Sequence, residues 1–225
     1  MKRALLTSML SVVLFSGISE AATSWTTPSG SGILIDYSAG QTDNGLFTDT
    51  SPTVAGDTFL FFPNNFTATE ITSFVTDTLS FVATAKPGQK LHRISAGLNG
   101  DWSVLGPATV NATATLTLTN LNTSEVLNQL LTFTPSMPPT SEDGLFTGTG
   151  EIILPDGWLN AKVELTTNLS VSGSDPDTTG GYAGLIQLKG ATVDVQAIPV
   201  PLPGALAAAP LALGIAWYVR RRWTH

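Results

Sequence analysis

The chain has 225 residues, 42% of them hydrophobic, with no cysteine and a formal net charge of −7. The absence of cysteine excludes a disulfide framework and a thiolate metal site. Ten Lys and Arg against seventeen Asp and Glu disfavour ligands recognised through basic surfaces, nucleic acid and anionic lipid among them.

Residues 1–21 have the layout of a secretory signal peptide. Lys2 and Arg3 form a basic start, Ala4 to Ile18 is mostly apolar, and Ser19-Glu20-Ala21 supplies the small residues that a signal peptidase reads. Cleavage is expected after Ala21, with Ala22 as the second choice. The apolar stretch is short against the ~20 residues that a membrane span requires.

Residues 22–199 are the expected exported domain, one β-rich unit large enough to bury a core. It keeps five basic residues (Lys86, Lys90, Arg93, Lys162 and Lys189) against sixteen acids, a net charge of −11. Strands are expected over Gly32–Tyr37, Thr58–Phe62, Leu79–Ala83 and Leu91–Leu98. Then come Val110–Leu118, Glu125–Phe133, Gly150–Leu154, Leu159–Thr166, Ala183–Leu188 and Val193–Ala197. The clearest pattern is period two: Val110, Ala112, Ala114, Leu116 and Leu118 alternate with Asn111 and three threonines. Such alternation describes a strand with one buried and one wet face. Phe59, Phe61, Phe62 and Phe66 read as core.

Turn residues fall between these runs: Asp43-Asn44-Gly45, Pro63-Asn64-Asn65, Lys86-Pro87-Gly88, Asn99-Gly100-Asp101, Pro155-Asp156-Gly157 and Asp175-Pro176-Asp177. Asn99-Gly100 is the strongest hairpin signal, since both residues tolerate positive φ. Short strands with frequent turns predict an all-β, antiparallel sandwich of jelly-roll type. Pro135 to Asp143 and Ser172 to Gly181 read as long loops. A shared Gly-Leu-Phe-Thr quartet, Gly45–Thr48 and Gly144–Thr147, would fit a duplicated half.

No catalytic constellation emerges. A Ser-His-Asp triad would need His92 as its base, and no serine lies in a Gly-x-Ser-x-Gly elbow. Sixteen acids make some carboxylate pair inevitable, so a pair alone does not point to a glycosidase. No cofactor is expected. Asp43-Asn44-Gly45 and Asp175-Pro176-Asp177 are the loops best supplied with oxygen ligands for Ca²⁺. Trp102 and Trp158 each follow a turn, and either indole could stack on a sugar ring of an extracellular polysaccharide.

The last residues carry the most specific signal. Val200-Pro201-Leu202-Pro203-Gly204 is followed by an uncharged apolar run, 205–219, and then by Arg220, Arg221 and Arg222. The chain carries no charge from Leu202 to Val219; at 1.5 Å rise per residue that stretch is just long enough to span, and the arginines place its end in the cytoplasm. This arrangement over residues 200–225 resembles the VPLPA-CTERM variant of the PEP-CTERM sorting signals, with Gly204 where that pattern has alanine. The resemblance implies export, inner-membrane anchoring, recognition by an exosortase-type enzyme, removal of the tail, and a place at the cell surface or outside the cell. It supplies no activity. The expected role is therefore structural or adhesive and non-enzymatic. A carbohydrate-binding module and a polysaccharide-active enzyme are the two alternatives.

Overall fold

A computed structural model describes residues 22–48, 51–69, 73–105, 108–139, 142–173 and 183–200. The described residues form fourteen strands and no helix. In chain order they are β1 (Thr23–Ser24), β2 (Gly30–Ser31), β3 (Ile35–Thr42), β4 (Thr53–Ala55), β5 (Thr58–Phe61), β6 (Thr67–Ala68) and β7 (Phe74–Ala85). There follow β8 (Gln89–Leu105), β9 (Thr109–Asn120), β10 (Val126–Leu130), β11 (Thr132–Thr134), β12 (Asp143–Trp158), β13 (Asn160–Ser172) and β14 (Ala183–Pro199).

Two seven-stranded antiparallel sheets result. The first runs β1-β3-β7-β13-β9-β10, with β2 also on β3; the second runs β11-β12-β8-β14-β5-β4, with β6 also on β14. The chain changes sheet between β3 and β4, β6 and β7, β7 and β8, β8 and β9, β10 and β11, β12 and β13, and β13 and β14. This is an antiparallel β-sandwich of the jelly-roll kind. The alternation in β9 and β13 is the cause at residue level. Val110, Ala112, Ala114, Leu116 and Leu118 are buried against the second sheet, as are Ala161, Val163, Leu165, Leu169 and Val171. Their neighbours in sequence face water.

An aromatic cluster fills one side of the core. Phe59 and Phe81 lie 4.4 Å apart between ring centroids, Tyr37 meets Phe59 edge-on at 5.1 Å, and Trp25 sits 5.5 Å from Phe61. Strand glycines receive the other rings. Phe146 is paired across the ladder with Gly100, Trp102 with Gly144, Phe133 with Gly148, and Tyr37 with Gly30. A Cβ on Gly144 would lie 2.6 Å from Cζ2 of Trp102, and one on Gly148 2.7 Å from Cε1 of Phe133. These glycines have no side chain because a ring from the next strand occupies that space.

That packing corrects the Asn99-Gly100 hairpin. Both residues lie within the 17-residue strand β8, and Gly100 leaves room for the Phe146 ring and for the backbone of Gln187. Pro155-Asp156-Gly157 is likewise a bulge inside β12, where pairing jumps from Ile153↔Arg93 to Trp158↔Leu91. Phe62 is 65% exposed, because Phe59 and Phe61 already hold the inward phase of β5. Leu159 is exposed at the crossing between the sheets. The Gly45–Thr48 quartet is irregular, whereas Gly144–Thr147 lies in β12, so the two do not mark equivalent halves.

The turn at 43–45 and those at 63–65 and 86–88 are as expected, with Gly45 at φ 72°, Asn65 at 61° and Gly88 at 80°.

Candidate functional site

A cleft of about 570 Å³ opens on the outer face of the second sheet. It lies beside Leu131, where the chain steps from β10 in the first sheet to β11 in the second. Ser95 and Gly97 come from β8, Thr149 and Glu151 from β12, Thr192 from β14, and Gln129 from β10. Alternation along each strand turns these residues outward while Ala96, Ile152 and Val193 go inward. Glycine keeps the floor low. A Cβ on Gly97 would lie 2.6 Å from Oγ1 of Thr192, while Gly150, in the inward phase of β12, makes room for buried Leu131, 3.0 Å from where its Cβ would be.

The lining is hydroxyl, amide and carboxylate. Glu151 accepts from Nη1 of Arg93 at 3.3 Å, in a pair whose side chains are 38% and 52% exposed. Solvent screening leaves such a pair worth a few tenths of a kcal/mol, up to about 1. Nε of Arg93 is buried and has no partner. Glu151 is the one acid among the described residues lining the cleft. The trough therefore offers several donors and acceptors to a polar ligand, while the paired carboxylates of glycoside hydrolysis are not gathered there.

A second polar centre is internal. Asp77 is buried at 1% exposure in the inward phase of β7, opposite Thr167 of β13. Its Oδ1 accepts from the backbone N–H of Asn44 and of Thr78, both at 2.8 Å. Its Oδ2 accepts from Leu46 N–H at 2.7 Å and Phe47 N–H at 3.1 Å. Four N–H groups thus converge on one carboxylate and shape the loop after β3. A Ca²⁺ loop has the opposite polarity, with oxygens pointing at the ion. The Asp43-Asn44-Gly45 loop turns donors inward, and Nδ2 of Asn44 donates to the Thr76 carbonyl at 2.9 Å. Among the described residues no three or more His, Asp or Glu side chains gather as a metal site would require. Asp175 and Asp177 lie outside the described residues.

No family model matches the chain, and no characterised protein matches it in sequence. Its fold is similar to several solved structures. One is of the infectious bursal disease virus Gt strain, at a TM-score of 0.38 and 15% identity, over 67% of this chain and 34% of that one. The chain thus spans about a third of that viral protein. Another is TmCBM61 in complex with β-1,4-galactotriose, at 0.27 and 9%, over 79% and 92%. A third is the CBM22-2 xylan-binding domain of Paenibacillus barcinonensis Xyn10C, at 0.23 and 10%, over 65% and 94%. Overlaps this slight assign neither ligand nor activity.

Trp102 and Trp158 do not form the expected sugar platform. They are 4% and 6% exposed, Trp102 stacking on Phe146 at 6.4 Å, so neither indole offers an open face. The indoles point inward because both residues fall in the buried phase of their strands. His92 is half-buried in β8, opposite the bulge of β12. Ala22 is described and exposed, and Val200 is 38% exposed. The cleavage residue Ala21, the remainder of the motif from Pro201 to Gly204, the apolar run 205–219 and Arg220 to Arg222 lie outside the described residues. The cleft itself escapes sequence reading. Its residues are mostly the ordinary wet-face threonines, serines and glycines of β8, β11, β12 and β14, joined by Gln129 of β10 and Glu151 of β12, and only the tertiary fold brings them together.

Proposed function

We propose that this chain is an exported, non-enzymatic surface protein, structural or adhesive outside the cell, delivered by an exosortase-type C-terminal signal. One observation carries the reading. Strand β14 is paired through Pro199, and Val200 N–H donates to the Gly88 carbonyl at 2.8 Å. Regular pairing therefore runs up to the first residue of the 200–204 motif. At the other end β1 starts at Thr23, directly after the expected cleavage sites. Intact mass of the protein from its native host, separated into membrane and medium, tests the reading. A chain starting near Ala22 and ending near Gly204 is expected in the surface or medium fraction. A chain that keeps 205–225 in every fraction refutes removal of the tail, and one that remains in the cytoplasm refutes export.

The cleft on the second sheet favours a second reading, binding of extracellular polysaccharide. Sugar hydroxyls pair with side-chain hydroxyls, amides and carboxylates, and Ser95, Thr149, Thr192, Gln129 and Glu151 supply these without strong net charge. Retardation in polysaccharide-loaded native gels tests it. Thr149→Trp, at an exposed position, should fill the trough and abolish retardation by a polysaccharide that slows the wild-type chain. Equal retardation of both proteins would remove the cleft from consideration.

A further inference from the structure

One end of the sandwich collects the end of β14 and a set of exposed apolar loop tips. Leu121 N–H donates to the Asn160 carbonyl, Ala85 N–H to the Leu159 carbonyl and Lys86 N–H to the Leu34 carbonyl. Val200 N–H closes the series on Gly88. The tips joined this way expose Ile33 by 71%, Leu159 by 56% and Leu121 by 46%, with Ile198 and Val200 at the end of β14. They come from three separate connections, β2–β3, β9–β10 and β12–β13. Solvated loop tips ordinarily carry polar residues, so apolar side chains on three neighbouring tips need a partner.

Tether length says what the partner is. Residues 201–204 alone separate Val200 from the apolar run that begins at Ala205. Four extended residues reach at most about 14 Å. The headgroup layer outside the hydrocarbon is about 5–8 Å deep. A chain anchored by 205–219 therefore holds this end of the sandwich at the lipid surface.

We infer that, in the membrane-anchored form, the Ile33, Leu121 and Leu159 tips dock into the lipid interface and stand the sandwich upright on it. The inference rests on the anchoring part of the proposed function. The contact is apolar rather than electrostatic. Lys86, Lys90, Arg93 and Lys162 lie towards this end, but so do Asp36, Asp57, Glu125 and Asp156. Lys86 and Arg93 are already committed, the first to the Gly32 carbonyl at 2.6 Å and the second to Glu151. Docking should therefore not require anionic lipid. The opposite end, with Phe74 and Leu145, is carried about 35 Å away by the length of β7.

The chain has no cysteine, so every introduced thiol is unique. The full chain, reconstituted in vesicles of phosphatidylethanolamine and phosphatidylglycerol, is labelled with an environment-sensitive fluorophore. The labelled variants are Ile33→Cys, Leu121→Cys and Leu159→Cys, with Phe74→Cys and Leu145→Cys as distal controls. Resistance to alkaline extraction first establishes anchoring; its failure refutes the anchored reading itself. In anchored protein, nitroxide on the lipid headgroups should quench the three tip labels strongly and blue-shift their emission, leaving both controls unchanged. The result should be the same in vesicles of phosphatidylcholine alone. Anchored protein whose tip labels are quenched no more than the controls overturns the docking. So does a blue shift without quenching, which would mean the tips are covered by protein.

Discussion

Gly144→Val places a branched side chain where Trp102 already sits, 2.6 Å from the position of the new Cβ. Filling a strand glycine gains up to about 1 kcal/mol of conformational stability. Forcing atoms into an occupied core costs about 1–3 kcal/mol. The clash wins, and the urea midpoint should fall. Gly100→Ala should cost more than Gly144→Ala. Gly100 faces the Gln187 backbone as well as a ring, and backbone cannot swing aside. Asp77 makes a sharper case. Asp77→Ala strands four N–H donors, the Phe47 one buried and the other three part-buried, and should cost about 3 kcal/mol. Asp77→Asn keeps the shape but turns an NH₂ group towards two backbone donors, so it should recover only part of that loss. Hydrogen exchange at Leu46 and Phe47 should accelerate in both variants. Full recovery by asparagine would mean that shape, not the carboxylate, holds the loop. Asp77 lies before the strand expected over Leu79–Ala83, which in fact starts at Phe74, and nothing local to it names its four partners.

At the scale of elements, the strands with one wet face were legible, because alternation in β9 and β13 follows directly from a sheet packed on one side. Their ends were less so. The Asn99-Gly100 pair has the composition of a hairpin, yet Ala96, Leu98, Gly100 and Trp102 keep one phase straight through it. The decisive contact, Phe146 on Gly100, comes from a strand more than forty residues on, which no local signal reveals. Pro155-Asp156-Gly157 misled for a related reason. Turn residues also make bulges, where the chain gains residues without reversing. Gly157 has φ 63°, and a Cβ there would lie 2.9 Å from the Leu91 carbonyl oxygen. Gly157→Ala should therefore lose about 1–2 kcal/mol from left-handed backbone strain, before any cost of the contact. Gly88→Ala makes the comparison, since φ is 80° there with nothing within 4 Å of the new methyl. Thermal melting of both variants should show the larger loss at Gly157. Equal losses would mean that the bulge yields to accommodate the methyl.

For the whole molecule, composition spoke clearly about charge and not about the cleft. The trough draws on β8, β12 and β14 with β10 and β11 at its side, and their outward residues differ little from those of any wet face, so strand placement rather than residue type creates it. Charge is a sum and needs no topology. Residues 22–199 carry a net −11 without a disulfide to restrain them. Among the described residues, ion pairs oppose this at Lys86–Asp36, 4.0 Å, Arg93–Glu151, 3.3 Å, Lys162–Glu164, 2.8 Å, and Lys189–Asp101, 3.2 Å. All are partly exposed and each contributes at most about 1 kcal/mol, less in salt. The acids that remain repel one another over distances comparable with the sandwich when the Debye length is about 30 Å, near 0.01 M salt, and far less when it is about 8 Å, at 0.15 M. Screening should weaken the repulsion more than the pairs, since sixteen acids face five basic residues over 22–199 and the repulsion acts at longer range. The urea midpoint should accordingly rise between those two concentrations of sodium chloride, and potassium chloride should do the same. A midpoint that falls would place the net electrostatic stability in the four pairs, and a rise seen only with calcium chloride would revive a bound divalent ion.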